Sequence, residues 1–271
     1  MIISTDAHYV IGSGHLACQD YALSGENYVI ISDGCSSALY SDVGARILAH
    51  RAAHVIKYFN SDILFEPDRF GKAVIKSAKS VIDELDIPIS ALDATLGVIF
   101  ELDGMVYAYL FGDGCLWVKY EDYSPQQHII SYPMEKPFYL SYKLSSSSEE
   151  EYVAEVKEKT CKHIHTYEGE VDSVQTYVSP ANEIFSFVAD TRSIEKLVIF
   201  SDGVETYYDS GKLNRLTNLL STPLISEITD FGNTASGYVQ RRLRRIERNF
   251  AKRNILHYDD LSIGAMTWVR E

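Results

Sequence analysis

Three apolar segments of this chain run directly into Asp-Gly: IISDGCSS at 30–37, LFGDGC at 110–115 and IFSDGV at 199–204. Each is short and rich in β-branched or aromatic residues, the composition of a buried strand. Asp-Gly after a strand is most often a tight hairpin turn, since glycine takes the positive φ such turns need. Its repetition opens a second reading. An aspartate at a strand end is held by rigid backbone, and the glycine after it lets the chain turn sharply and present its carbonyl beside the carboxylate. Several such ends together make a set of hard oxygen donors, which suits Mg²⁺ or Mn²⁺ and suits zinc poorly. Clustered aspartates without a cation repel one another. Spacing alone leaves both readings open.

The same pattern predicts strands near 27–33, 95–101, 105–112, 115–120, 127–131, 183–189, 196–202 and 261–269, and long helices over 41–60, 68–85 and 234–253. Leu102-Asp103-Gly104 joins two of these strands as a hairpin, and the GDG turn follows at once, so the middle of the chain reads as an antiparallel meander. Meanders interrupted by two early helices and one late helix imply an α+β fold rather than an alternating parallel sheet. From 132 to 182 the pattern weakens around SSSSEEE (145–151), which predicts a long excursion, partly loop and partly short helix.

At 271 residues, 46% hydrophobic and 23% charged, the chain is sized for one domain spanning 1–271. Its apolar runs fall far short of the roughly 20 residues a membrane helix needs, and no signal peptide opens it, so a cytoplasmic monomer without membrane contact is expected. Cys18, Cys35, Cys115 and Cys161 show no paired spacing, which fits a reducing compartment. A net charge of −13 weighs against nucleic-acid binding.

Three local motifs point elsewhere. G-S-G-H-L-A at 12–17 has the dinucleotide-binding form, but Gly25 and Asn27 and a resuming strand leave no helix to receive a pyrophosphate. Cys161, His163 and His165 alternate as zinc ligands on a strand would, without an evident fourth ligand. QRRLRRIERNFAKR at 240–253 is basic, yet Val239, Leu243, Ile246 and Phe250 form one helical stripe, the pattern of a core-packed helix with a solvated face.

Taken in order, CQDYAL (18–23), VIISDGCSS (29–37), DATLGVIF (93–100), YLFGDGCLW (109–117), LVIFSDGVET (197–206) and YDDLSIGAM (258–266) resemble the metal-dependent protein phosphatases of the PP2C (PPM) family, especially the bacterial branch. The resemblance implies a four-layer α-β-β-α sandwich of two antiparallel sheets with metals at one edge. It implies that Asp33 bridges two Mn²⁺ or Mg²⁺ ions, that Gly34 lends its carbonyl, and that Asp202 and Asp259 complete the second site. Asp20 falls in or just behind the ligand set, and Asp113 matches the aspartate of a third, weaker metal. Asp260 is implied as a supporting group, Thr95 as a structural one, and the 132–182 excursion as the position of a substrate-side flap.

The implied activity is hydrolysis of phosphoserine and phosphothreonine in proteins through a water activated by a binuclear centre, with a cognate kinase as counterpart. This chain departs from the family at three positions. His15 stands where many members have a phosphate-gripping Arg, and as imidazolium it can pair with phosphate or act as the acid. Cys35 replaces a proton-donating His, and the neutral Gln19 replaces a metal-binding Glu. These departures keep one alternative open, a binding module with weak or no turnover; a more distant alternative is a phosphatase of small phosphate esters.

Overall fold

A computed structural model of the chain describes residues 2–156, 161–168, 174–211, 214–215 and 223–269. Strands β1 (Ile2–Val10), β2 (Asp20–Ser24), β3 (Tyr28–Asp33), β4 (Leu96–Leu102), β5 (Met105–Phe111), β6 (Gly114–Tyr120), β7 (Gln126–Ser131), β8 (Cys161–Glu168), β9 (Val174–Pro180), β10 (Phe185–Asp190), β11 (Ile194–Phe200), β12 (Tyr207–Asp209), β13 (Asn214–Arg215), β14 (Ile255–His257) and β15 (Leu261–Val269) form three antiparallel sheets. The largest runs β1-β15-β11-β6-β7-β8-β9, the second β10-β5-β4-β3-β2, and a small one β13-β12-β14. Helices are α1 (Ser41–Tyr58), α2 (Ser61–Leu64), α3 (Pro67–Glu84), α4 (Ser146–Val156), α5 (Pro223–Thr229) and α6 (Tyr238–Ala251).

Strand alternation explains the layering, because successive side chains point to opposite faces. In β3, Tyr28 and Ile30 pack with Leu48 and Ala49 of α1 and Phe70 and Val74 of α3, while Val29 and Ile31 meet Leu197, Ile199 and Met266 of the other sheet. In β11 the neighbours of those residues, Val198 and Phe200, turn outward to Val239, Leu243, Ile246 and Phe250 of α6. Three apolar cores therefore separate four layers, the α-β-β-α sandwich expected. The basic stretch of α6 is a core-packed helix, as its stripe predicts. Residues 12–19 form turns and loop with no helix, as expected from the broken dinucleotide motif.

The excursion holds more structure than its composition suggests. SSSSEEE enters α4, because Tyr152 and Val156 are buried and the Tyr152 ring packs on Phe138 and Tyr142, with centroids 5.2 and 5.5 Å away. Tertiary contact overrides a polar composition here. Short 3₁₀ turns at Pro133–Glu135 and Leu140–Leu144 precede α4, and β8 and β9 extend the large sheet beyond it. The Cys161 and His165 side chains of the zinc reading lie outside the described residues. No described helix is long and apolar enough to cross a membrane.

His128 of β7 lies between the sheets, its ring 5.5 Å from Phe185 and 6.2 Å from Phe187 of β10, and burial pushes its pKa down to about 4. Below an unfolded pKa near 6.5 the unfolded chain takes up a proton that the folded chain refuses, so this group's contribution is lost as pH falls. Between pH 6.5 and 4 the loss reaches on the order of 3 kcal/mol. Urea unfolding across that range is expected to show a shallower acid loss in His128→Gln than in the parent; equal slopes would refute the assignment.

Candidate metal centre

Antiparallel order brings the ends of β3 and β11 and the starts of β2, β6 and β15 to one edge of the sandwich. Asp20 opens β2 directly across from Asp33, which closes β3. Phe200 at the end of β11 pairs with Cys115 on one side and Ile263 on the other, so Asp113, Asp202 and the Asp259-Asp260 pair lie just beyond the strand termini. Asp33, Gly34, Asp113, Asp202, Asp259 and Asp260 line a single cavity of about 560 Å³ together with His15 and Gln19. Asp20 is buried, 1% exposed, beside Asp33.

Two of the glycines are required by close approach. A Cβ on Gly203 would stand 1.8 Å from the Asp260 carbonyl oxygen. Gly114, at φ 133°, would place one 2.7 Å from the carbonyl oxygen of Phe200. These Asp-Gly pairs are thus packing points between strand ends, where the backbone must pass without a side chain.

Hydrogen bonds hold the carboxylates from behind. Thr95 N–H donates to the Asp33 carbonyl at 2.8 Å, and Asp33 N–H donates to Thr95 Oγ1 at 3.3 Å. Ser201 Oγ donates to Asp20 Oδ2 at 2.8 Å and accepts from Ser262 N–H at 2.9 Å. Sequence reasoning gave Ser201 and Ser262 no role; the available signal is that Ser201 adjoins Asp202 and Ser262 follows Asp260 by two residues. Asp260 accepts from Gly12 N–H at 2.8 Å through Oδ1 and from Gln19 N–H at 2.6 Å through Oδ2, which staples the 12–19 loop to the site. This is the geometry of a supporting group.

His15 stands between two carboxylates, with Nδ1 3.1 Å from Asp260 Oδ2 and Nε2 3.4 Å from Asp259 Oδ1. Burial alone would lower its pKa, but contact with Asp260 and the charges of Asp260, Asp259 and Asp20 outweigh that and raise it. Gln19 Nε2 donates to Ser41 Oγ at 2.7 Å, and Cys35 Sγ lies 3.2 Å from Ser37 Oγ. Cys35, Ser36, Ser37 and Thr95 also line the cavity, and the rest of the lining comes from the excursion, including Lys136, Tyr139, Tyr142, Tyr152 and Glu155, residues that no motif singles out.

Burial, then the charges of Asp20 and Asp202, holds the Asp33 carboxyl well above the ordinary carboxylate range. Burial, then Asp202, does the same to Asp113, and burial raises Asp20. The Asp20 Oδ1 atom is buried without a hydrogen-bond donor. Such an arrangement is unfavourable as bare anions and is relieved by a proton or a cation. Among the described residues no three His, Cys, Asp or Glu side chains form a tight ligand group. Carboxylates and a backbone carbonyl are hard oxygen donors, the kind Mg²⁺ and Mn²⁺ take together with waters. The donor set therefore fits a hard divalent cation.

The family model of protein phosphatase 2C matches residues 11–246. The serine/threonine phosphatase PstP/Ppp of Mycobacterium tuberculosis is similar in structure, with 13% identity, complete coverage of both chains and a TM-score of 0.55. Stp1 of Staphylococcus aureus gives 11% identity and a TM-score of 0.55 over 100% of this chain and 96% of its own. A PstP catalytic domain in complex with two manganese ions gives 13% identity and a TM-score of 0.51 over 99% of each chain. No curated protein matches in sequence. With the family match spanning most of its length and the carboxylates gathered at one sandwich edge, the chain belongs to the protein phosphatase 2C family of metal-dependent phosphoprotein phosphatases.

Proposed function

We propose that residues 1–271 form one phosphatase unit that hydrolyses phosphoserine and phosphothreonine monoesters of proteins in the 560 Å³ cavity. In this reading Asp33, the Gly34 carbonyl, Asp202 and Asp259 hold two Mn²⁺ or Mg²⁺ ions, with Asp20 beside Asp33 and Asp113 toward a third. When bound, such ions lower the pKa of water and neutralise phosphoryl oxygens during in-line attack. The observation that carries the reading is the crowded, mutually repelling carboxylate set at one strand edge, which a scaffold has little reason to keep. Asp260 and Thr95 hold the surrounding backbone in place, and His15 sits between Asp259 and Asp260. A serine/threonine kinase is the implied source of substrate, and the cytoplasm the implied location.

Two measurements test this. Purified protein is expected to cleave an aryl phosphate and phosphopeptides with Mn²⁺, to stop with chelator, and to lose more activity in Asp33→Asn or Asp202→Asn than the roughly 10- to 100-fold that outer-shell changes cost. Full activity in either variant would overturn the reading, tight Mn²⁺ binding without turnover would favour the binding module, and cleavage of the aryl ester alone would favour small esters. Asp20→Asn removes one of two opposed carboxylates. In chelator its unfolding free energy is expected to rise by about 1 kcal/mol, with a higher midpoint, while the extra stability conferred by Mn²⁺ shrinks. A midpoint lower than the parent's would contradict the repulsion argument.

A further inference from the structure

We propose that Lys136 grips the phosphoryl oxygens of the substrate, and that Glu155 is the counter-charge it leaves to do so. The inference deepens the phosphatase reading above and rests on it. A phosphomonoester brings close to two negative charges into the site. The cavity lining already holds Asp33, Asp113, Asp202, Asp259, Asp260, Glu135 and Glu155. Bound metals answer the charge on the carboxylate side, but a distal phosphoryl oxygen needs its own donor. His15, at the position where a guanidinium is expected, has each ring nitrogen within 3.4 Å of an aspartate oxygen, so its ring is held among carboxylates. Lys136 is the one lysine or arginine among the described residues that line the cavity.

Its backbone is held firmly while its side chain is not. Lys136 N–H donates to the Pro133 carbonyl at 3.3 Å, and the Tyr152 hydroxyl donates to the Lys136 carbonyl at 3.1 Å. Tyr152 is buried and boxed by Phe138 and Tyr142. Immediately before the lysine, Met134 and Glu135 both adopt left-handed backbone, at φ 61° and 55°. Two consecutive non-glycine residues keep such a conformation only where their surroundings over-determine it, and strained turns of this kind gather at ligand sites. The ammonium pairs with Glu155, yet the two side chains are 41% and 59% exposed. An ion pair so open to water is weak, and the flexible lysine stem can swing from a monoanionic carboxylate to a dianionic phosphate at small cost. Lysine binds phosphate well as a point charge.

The test separates a phosphate grip from a structural latch between the turn and α4. Lys136→Ala is expected to lower kcat/KM for a phosphopeptide by about 10- to 100-fold, mainly through KM, the range of one charge-assisted hydrogen bond. Lys136→Arg keeps most of the activity. Glu155→Gln lowers KM by about threefold, and that gain disappears in the Lys136→Ala background. Calorimetry with inorganic phosphate and Mn²⁺ reads the same contact without turnover, with phosphate affinity weakened in Lys136→Ala while Mn²⁺ affinity stays level. Unchanged phosphate affinity in Lys136→Ala overturns the proposal whether or not the protein turns over substrate. So does a Glu155→Gln change that raises KM and lowers the melting temperature as Lys136→Ala does, the behaviour of a latch. Failure of the phosphatase reading itself shows separately, as full activity in Asp33→Asn.

Discussion

Asp20 and Asp33 face each other across an antiparallel strand pair, and much of this structure is arranged around the cost of that opposition. Like charges directly opposite destabilise a sheet. Here the pair is also desolvated, with Asp113 and Asp202 adding to the field on Asp33. A fold can keep such a pair only if the rest of the sandwich supplies enough apolar burial to outweigh it. Three separate cores do so, with β3 sandwiched between two of them through the alternation of Tyr28 and Ile30 against Val29 and Ile31. The strand that carries the repelling carboxylate is thus among the most deeply buried. Its terminus has little freedom to relax away from the charge.

The same antiparallel order explains why one edge collects every motif aspartate. In a parallel sheet the C-terminal ends of all strands would share an edge. Here the ends of β3 and β11 meet the starts of β2, β6 and β15, so aspartates that follow one strand and precede another arrive together. The glycines between them are the consequence of crowding. Gly203 passes against the Asp260 backbone, and Gly114 against that of Phe200, with no room for a side chain. Serines complete the edge: Ser201 ties Asp20 to Ser262 and so links the two sheets behind the cavity.

What could be read from the sequence divides along the same line. Strands β3, β5, β6, β11 and β15 were legible because they are buried on both faces and therefore nearly continuous in apolar residues. The aspartates at their ends were legible because rigid strands hold them in a repeated local grammar. Strand β1 was not, since its residues are half-exposed along almost its whole length and mix Ser, Thr, Asp and His with the apolar ones. A short helix in the excursion was legible, but the placing of α4 was not, because its order comes from Tyr152 packing on Phe138 and Tyr142, contacts that a run of serine and glutamate does not announce. The lining contributed by Lys136 and Glu155 was hidden for a related reason: 19 residues separate them, and the aromatic box brings them together.

This division has a functional sense. The carboxylate wall is built on strand termini that the two sheets hold from behind, and such rigidity is what a set of charged donors needs if it is to be preorganised rather than rearranged around each ligand. The other wall is built on a turn with two left-handed residues, a helix of mixed composition and an exposed ion pair. It is anchored by tyrosine and phenylalanine rings rather than by sheet hydrogen bonds. Side chains on such a segment can change without disturbing the strand edge, because few of the contacts that fix Asp33, Asp202 or Asp259 pass through it. The charged donors are therefore best kept on the strands, and variation in the lining on the excursion, where loops carry it at little cost to the core.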